Sequence, residues 1–383
     1  MNESFSFAVI LFLVYLLQCF ASTLPSSVVF FLDYRLRGRL LRHYWQIGPS
    51  GRRVFLPNPF LPHIGALHTD RVPFAVRFNS AGDLIGLQSL SPPSDSAPPI
   101  FAVDGAHAIE AFAKKVIVDD QVFLCLRSES AAQQIAALLR DLQTTARANR
   151  IPMLERHFKG MFALNVIDER LEKYSQSTEF LQIACFSLLF FMLLLGPATV
   201  LILGLRRVWP ALLLYLVLSS ASILWLFGRA YRQLYSWEKG WPLQHMVTIG
   251  VSPFAAIRAN DLLVAELLSE FHPVAVAWRI LSEREFSRFA SAELRKVRFF
   301  YSDEFLAKSL RDFFVQNGLD PEFLLRAPSR ENPSSLAYCP VCLTQYVIAS
   351  GVCQDCDGTP LAAFSADERG SSIEHCVDGS TER

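Results

Sequence analysis

Two long uncharged stretches follow one another in the middle of the chain and constrain its fold more than any other feature. Residues 180–205 contain no charged side chain, residues 208–228 contain none, and only Arg206 and Arg207 stand between them. Each stretch is long enough to cross a hydrocarbon core of about 30 Å as a helix. The sequence therefore predicts a transmembrane helical hairpin over residues 178–228, and both ends of such a hairpin lie on the same side of the membrane.

Composition agrees with a membrane location. Of the 383 residues, 51% are hydrophobic and the mean hydropathy is +0.27. These values favour an integral membrane protein that carries soluble modules. The formal net charge is +0 and the pI is near 7.1, so there is no basic surplus of the kind that attracts nucleic acid.

A further apolar stretch begins close to the first residue. Residues 4–32 contain no charged side chain, and Glu3 is the only charge before them. A cleaved signal peptide is the alternative to a permanent anchor, but it would need a positively charged start, which is absent here. We therefore interpret residues 5–32 as an uncleaved N-terminal transmembrane anchor, the first of three predicted membrane helices.

Basic residues set the predicted orientation. Residues 33–53 form a basic juxtamembrane segment with six arginines against the single acidic residue Asp33. By the positive-inside rule, this segment lies in the cytoplasm and the N-terminus lies outside a plasma (inner) membrane that the chain crosses several times. Residues 28–45, which overlap the start of this segment, are interpreted either as an amphipathic interfacial helix or as a basic extension of the anchor helix. The flanks of the hairpin favour the same orientation, although Arg206 and Arg207 oppose it.

The segment from 54 to 177 is predicted to be a cytoplasmic α+β module. Two β-hairpins are expected from pairs of apolar runs around a turn, namely 74–78 with 84–90 and 116–118 with 122–126. A helical turn is expected at 107–114, and Ser128 is expected to cap an amphipathic helix that packs on the sheet. Asp119 and Asp120 are interpreted as turn residues and not as a catalytic carboxylate pair.

Residues 229–328 are predicted to form a cytoplasmic helical module. Its helices are expected to begin at Ser252, at the capping box of Ser282 with Glu285, at Ser302 and at Asp320, and Gly318 is expected to end one of them. His272 and Pro273 are read as an interruption. The arginines and lysines between 279 and 298 are interpreted as part of a mixed, solvated face.

Four cysteines near the C-terminus form the sharpest motif. Cys339 and Cys342 make one CxxC pair, and Cys353 and Cys356 make a second pair after a spacer of ten residues. Four thiolates so spaced satisfy a tetrahedral Zn²⁺ ion without an open position, which is typical of a structural site. Disulfides are disfavoured by the predicted cytoplasmic location, and rubredoxin-like iron is disfavoured by the short spacer.

The segment CPVCLTQYVIASGVCQDCDGTPL resembles the short zinc ribbons that are common in prokaryotic proteins. The resemblance covers about 25 residues and implies Cys339, Cys342, Cys353 and Cys356 as the ligands, with Tyr346 as a packing aromatic residue and Pro360-Leu361 as a closing contact. Two positions depart from the pattern: Leu343 stands where the family has Gly, and Gly358 follows Cys356 one residue late. The ribbon is predicted over 336–364, with a hairpin between residues 343–348 and 351–352.

Nothing in the sequence identifies an activity. It contains no HExxH, Walker A, GxSxG or dinucleotide fingerprint, so no catalytic residue is assigned and an enzyme is disfavoured. The leading hypothesis is a membrane-anchored scaffold that contacts the lipid bilayer and a protein partner. A membrane-bound enzyme, with a site between the cytoplasmic modules and the hairpin, is the alternative. Nucleic-acid binding ranks last, because residues 338–361 contain no Lys or Arg. Residues 365–383 are predicted to be disordered.

Overall fold

A computed structural model describes residues 3–20, 27–32, 42–46, 66–70, 74–90, 99–126, 128–235, 243–264, 267–298, 304–356 and 358–364. The chain divides into two compact units, Met1–Phe286 and Ser287–Arg383. Most of the predicted basic segment 33–53 and the whole predicted tail 365–383 lie outside the described residues.

The N-terminal unit contains nine described strands in three small antiparallel sheets. The strands are β1 (Ser27–Leu32), β2 (Arg42–Gln46), β3 (Ala66–Asp70), β4 (Phe74–Phe78), β5 (Leu84–Ser89), β6 (Ile100–Ala102), β7 (Ile109–Phe112), β8 (Lys115–Val118) and β9 (Gln121–Cys125). The strand orders are β2-β1-β3, β4-β5-β6 and β7-β8-β9.

Helices make up the rest of this unit. They are α1 (Glu3–Phe20), α2 (Glu129–Thr144), α3 (Arg147–Met161), α4 (Leu164–Phe190), α5 (Gly196–Leu203), α6 (Leu205–Leu234), α7 (Leu243–Val251), α8 (Pro253–Ile257), α9 (Ala259–Val264) and α10 (Pro273–Ile280). A π-helical turn, Phe191–Leu195, joins α4 to α5. Helix α11 (Glu283–Lys296) contains the boundary between the units.

The C-terminal unit combines two further helices with the cysteine ribbon. Its elements are α12 (Glu304–Gln316), α13 (Pro321–Leu324), β10 (Ala337–Tyr338), β11 (Gln345–Tyr346), β12 (Val352–Cys353), β13 (Thr359–Pro360) and β14 (Ala362–Ala363). Strand β10 lies between β11 and β14, and β12 pairs with β13.

The predicted anchor over residues 5–32 is longer than the helix that the structure contains. Helix α1 ends at Phe20, and the last part of the apolar stretch is β1, which pairs with β2 on one side and β3 on the other. Val28 and Phe30 are fully buried there. Valine and phenylalanine favour strands, so an uncharged run of them suits a sheet as well as a span. The helix expected at 28–45 is wrong for the same reason, since its described parts are β1 and β2.

Both predicted hairpins of the α+β region are confirmed. Strand β4 pairs with β5, and β8 pairs with β9 around Asp119 and Asp120. Both aspartates have positive φ, as a two-residue type I′ turn requires. The Asp119 carboxylate also accepts the N–H of Ala108 at 2.9 Å. The predicted helical turn at 107–114 is wrong, because β7 occupies that stretch and pairs with β8.

Helix α2 begins as its sequence predicts. The Ser128 hydroxyl accepts the N–H of Ala131 at 3.0 Å and caps the helix. The helix packs against β7 and β8. Its buried face consists of Ala131, Ala132, Ile135, Ala136, Leu138, Leu139 and Leu142. The expected packing of an amphipathic helix on the sheet is therefore confirmed.

Two helices are long and apolar enough to span a membrane: the run Arg147–Leu203, which includes α3 to α5, and Leu205–Leu234. The chain turns between them at Gly204, whose φ of +80° is open to glycine but strained for other residues. Arg206 and Arg207, the predicted connector, lie in the first turn of α6. The predicted position of the turn is therefore wrong by two residues.

The segment after the helix pair returns to the first part of the chain. The N–H of His272 donates to the carbonyl of Met161 at 2.9 Å, and the Arg170 guanidinium donates to the carbonyl of Leu267 at 2.7 Å. The hydroxyls of Ser128 and Ser269 lie 2.6 Å apart. Residues up to Phe286 thus belong to the N-terminal unit, and the boundary between the two units falls inside the predicted helical module 229–328.

Most of the predicted helix ends agree with the structure. Ser252 and Asp320 cap α8 and α13, and Ser282 exchanges capping-box bonds with Glu285. Gly318 follows α12 with a φ of +76°. His272 does more than interrupt the chain, because its ring accepts the N–H of Val274 and caps α10. Ser302 lies outside the described residues.

Candidate metal centre

The ribbon holds its two CxxC pairs on two separate small sheets, one of three short strands and one of two. The first pair follows β10, which is joined to β11 and β14, and the second begins in β12, which is joined to β13. The predicted hairpin between residues 343–348 and 351–352 is wrong, because β11 and β12 each pair with a different strand. Hydrogen bonds to β10 instead keep β11 beside the first CxxC pair.

The four sulfur atoms lie close together. Those of Cys339, Cys342, Cys353 and Cys356 all lie within 4.8 Å of one another. The sulfurs of Cys342 and Cys353 are 3.7 Å apart. Sulfurs bound at about 2.3 Å around a tetrahedral ion are about 3.8 Å apart, so this spacing fits a single metal ion. None of these cysteines forms a disulfide.

The backbone folds around the first CxxC pair as a metal-binding knuckle does. The N–H of Val341 points at the sulfur of Cys339 at 3.4 Å, and the N–H of Leu343 donates to the carbonyl of Cys339 at 2.9 Å. Leu343 has a φ of +63°, a left-handed conformation that glycine adopts more easily. The backbone therefore makes this turn with leucine, and not glycine, at the left-handed position.

The second departure from the family pattern also occupies a left-handed position. Gly358 has a φ of +77°, and its N–H donates to the carbonyl of Cys353 at 3.0 Å. The glycine therefore closes the turn around the second CxxC pair from a position one residue later than usual.

Two hydroxyl groups approach the sulfurs, and the sequence did not indicate either role. The Tyr346 hydroxyl donates to the sulfur of Cys353 at 3.1 Å, while the Thr344 hydroxyl lies 3.2 Å from the sulfur of Cys342. Tyr346 and Leu361 also pack against the small core formed by the cysteines and Val341. The expected packing of Tyr346 and Leu361 thus agrees with the structure, whereas Pro360 is exposed. Tyr346 adds a hydrogen bond to a sulfur.

The thiols have different proton affinities. Burial raises the pKa of the Cys339 thiol to about 11 and also raises that of Cys356. Burial acts on Cys353 in the same direction, but the hydrogen bonds from Tyr346 and the neighbouring thiols outweigh it, so the pKa of Cys353 is lowered. A metal ion must therefore displace protons from at least Cys339 and Cys356 at neutral pH.

Residues that precede the predicted ribbon are hydrogen-bonded to it. The side-chain amide of Gln345 donates to the carbonyl of Ser329 at 2.8 Å, and its oxygen accepts the N–H of Glu331 at 3.1 Å. The Arg330 guanidinium lies 4.9 Å from the ring centre of Phe364. Residues 329–331 are therefore part of the folded ribbon.

One arginine beside the metal centre contradicts its predicted environment. Arg295, interpreted as part of a solvated face, is only 2% exposed and donates to the carbonyl of Pro340 at 3.1 Å. Lys296 is also buried and lies 3.5 Å from Glu293. Arg284, Arg288 and Arg298 are exposed as expected. Sequence spacing alone gave no signal for Arg295, because it is far from the cysteines along the chain.

Among the described residues, no other metal-binding side chain joins these four cysteines. His107 pairs with Asp119 in the N-terminal unit, and His375 and Cys376 lie outside the described residues. Within the described part of the chain, no second group of three metal-binding side chains comes together. Comparisons with protein-family models, curated proteins and solved structures found no match.

Proposed function

We propose that this chain is an integral membrane protein that acts as a scaffold and presents a zinc ribbon to a protein partner in the cytoplasm. The observation that carries the membrane assignment is the exposure of the two long helices. Only 33% and 17% of their most apolar windows are buried. The exposed side chains include Leu194, Leu195, Leu201, Ile202, Leu203, Leu205, Trp209, Leu213, Leu214, Val217, Leu218 and Trp225.

Exposure of such an apolar surface to water is unfavourable. Soluble monomers rarely expose contiguous apolar patches of more than a few hundred Å², and larger patches mark interaction or membrane surfaces. The hydrocarbon core of a bilayer covers this belt without a specific partner. The turn at Gly204 makes the two helices a hairpin, in agreement with the proposal that they cross the bilayer together.

Contacts at the open end of the hairpin support a common location for its two flanks. Arg170 of α4 pairs with Glu270, and the Tyr235 hydroxyl donates to the carbonyl of Leu263 at 2.5 Å. The rule that basic residues remain inside places these flanks in the cytoplasm and the Gly204 turn outside. The Arg229 guanidinium lies 5.9 Å from the ring centre of Trp225, and an arginine with a tryptophan is a typical pair for the membrane interface.

Zinc is the metal that we propose for the ribbon. Four sulfur donors in a small tetrahedral cluster suit zinc or iron, and the ten-residue spacer between the CxxC pairs favours zinc. The site holds four protein ligands and thus has no open coordination position, so the metal is structural. Metal analysis of the purified chain tests this directly, with one zinc per chain as the expected result.

The surface of the ribbon supports a protein partner. Val347, Ile348 and Val352 are 65%, 51% and 55% exposed on neighbouring turns of the ribbon. Together with the absence of Lys and Arg from residues 338–361, this apolar tip suits another protein better than a nucleic acid.

Two measurements test the protein partner and the membrane topology. A photo-crosslinking residue at position 347, in native membranes, is expected to yield a discrete protein adduct. An impermeant thiol reagent is expected to reach Cys339 only after the cytoplasmic side is opened and the metal is removed. Labelling from the outer side would contradict the orientation, and crosslinks to lipid alone would contradict the scaffold.

One observation favours the alternative of a membrane-bound enzyme. Tyr174, Thr178, Gln182 and Cys185 form a buried stripe along α4, and Asn260 of α9 approaches it, with its side-chain nitrogen 3.9 Å from the sulfur of Cys185. The hydroxyl of Tyr174 and the side-chain oxygen of Asn260 have no hydrogen-bond partner among the described residues. Unsatisfied buried groups of this kind are uncommon and often functional.

A single substitution separates a functional stripe from a structural one. If Asn260 is retained for function, Asn260→Leu is expected to raise the melting temperature, because it removes an unsatisfied buried oxygen. If Asn260 is needed for packing, the same change lowers the melting temperature. The second outcome would leave the scaffold as the sole proposal.

A further inference from the structure

Arg295 makes an unusual set of contacts in the last turn of α11. Its Nε donates to the Ser291 hydroxyl at 3.1 Å, and Nη1 donates to the carbonyl of Pro340 at 3.1 Å. Its Nη2 donates to the carbonyls of Leu324, at 3.3 Å, and Arg326. One guanidinium thus joins α11, the end of α13 and the first CxxC pair, all within the C-terminal unit.

All of these acceptors are neutral. Among the described residues, no carboxylate lies within ion-pair distance of Arg295, whereas the neighbouring Lys296 has Glu293. The side chain is 2% exposed. A buried charge without a counter-charge is strongly unfavourable, even when its hydrogen bonds are made.

A loaded metal centre would provide the missing negative charge. Pro340 lies between Cys339 and Cys342, so the carbonyl that Arg295 binds belongs to the first CxxC pair. Four thiolates around one divalent ion carry a net charge of −2, whereas four protonated thiols carry none. We propose that Arg295 is the counter-charge of the loaded metal centre and couples metal binding to the attachment of the ribbon to α11.

This inference rests on the proposed metal binding and extends it to a positioning residue. Coupling between two events is reciprocal, so the factor by which Arg295 strengthens metal binding equals the factor by which the metal strengthens the contacts of Arg295. In the loaded protein, α11, α13 and the ribbon form one cooperative unit. Without the metal, Arg295 is a buried cation that lacks this counter-charge, and its contacts with the ribbon weaken.

The test uses the full chain in detergent or nanodiscs. Zinc affinity is measured by competition with a chromophoric chelator for the wild type, Arg295→Met, Arg295→Lys and the control Arg288→Met, which removes a guanidinium from the exposed face of the same helix. Groups around a metal centre that act through its ligands typically change affinity by about tenfold to 100-fold. We expect a loss in this range for Arg295→Met, a smaller loss for Arg295→Lys and no change for Arg288→Met.

Hydrogen exchange gives a second readout that needs no variant. Chelation of the metal from the wild type is expected to increase exchange in α11 and α13 as well as in the ribbon. Equal affinity of the wild type and Arg295→Met, or equal losses for Met and Lys, would overturn the role as counter-charge. A wild-type chain that binds no zinc would overturn the proposed metal centre itself, which is a distinct result.

Discussion

The helix pair of residues 164–234 exposes large apolar side chains along most of its length, whereas the ribbon of residues 336–364 buries very few. The core of the ribbon consists of Val341 and three of the cysteines, with Tyr346 and Leu361 against it. The helix pair therefore has more apolar surface than it can cover, and the ribbon has too little to stabilise a fold. Each region is incomplete in water for a different reason.

The two regions are proposed to be completed in different ways. A bilayer would surround the helix pair and contribute at every exposed side chain, so single changes there are expected to have graded effects. A metal ion would contribute to the ribbon at one point, through four bonds. Loss of that ion would remove most of the stability of the ribbon at once.

Removal of the metal is expected to have the largest effect. Structural zinc sites contribute about 10–16 kcal/mol of apparent binding free energy, more than a fold of this size gains from its core. We expect chelation, or Cys339→Ser, to abolish hydrogen-exchange protection of residues 336–364 while β4 to β9 keep theirs. The control Cys125→Ser, in β9, is expected to leave the ribbon unchanged. A ribbon that stays protected without metal would show that its apolar core suffices.

A charge in the middle of α6 is expected to have the next largest effect. Leu218 is 58% exposed, and arginine at the centre of a membrane helix opposes insertion by about 2.5–3.5 kcal/mol. Leu218→Arg is expected to reduce the carbonate-resistant membrane fraction. The control Phe112→Arg replaces a 71% exposed side chain in β7 and is expected to have no effect on that fraction. If Leu218→Arg instead left insertion unchanged and increased solubility, α6 would face water.

The two regions also differ in how much their sequences predict. Uncharged length was sufficient to predict the helix pair, but composition did not distinguish a span from a strand, so β1 was assigned to a membrane helix. The turn was placed at Arg206 and Arg207 because charge is visible in a sequence. Gly204 turns the chain because of its backbone freedom, which hydropathy does not report.

In the ribbon, spacing identified the four cysteines that the structure brings together, while the strand pairing was predicted wrongly. Two-residue strands have no periodicity, so the sequence does not show that β11 and β12 pair with different strands. Contacts between distant parts of the chain were also missed. Arg295 lies among other basic residues of α11, and only the folded unit shows that it faces Pro340.

Substitution of Gly204 tests the turn of the helix pair at a smaller scale. An added Cβ at Gly204 meets no atom within 4 Å, so the effect of Gly204→Ala comes from its φ of +80° alone. We expect a loss of about 1–3 kcal/mol in the free energy of unfolding. Gly250→Ala is the matched control, since Gly250 is equally uncrowded but lies inside α7, where alanine is expected to add about 0.5–1 kcal/mol. Both are measured by thermal unfolding in detergent, and equal effects would contradict the glycine turn.

The smallest effect is expected from the two residues other than glycine that share one strained backbone conformation, one in the ribbon and one in the β8–β9 turn. Leu343 in the ribbon and Asp120 in the β8–β9 turn have the same φ of +63°. This left-handed conformation costs most residues about 1–2 kcal/mol, whereas glycine adopts it freely and aspartate tolerates it better than leucine does. Leu343→Gly and Asp120→Gly are each expected to increase the free energy of unfolding by about 1 kcal/mol or less, since glycine also loses more freedom on folding.

The two substitutions are expected to differ in their dependence on metal. The gain at Asp120 raises the melting temperature whether or not metal is present. At Leu343 the gain is expected only in the loaded ribbon, because only the bound metal fixes that backbone, and it appears as an increase in zinc affinity of up to about fivefold. A gain at Leu343 that persisted after chelation would show that the ribbon retains its fold without the ion.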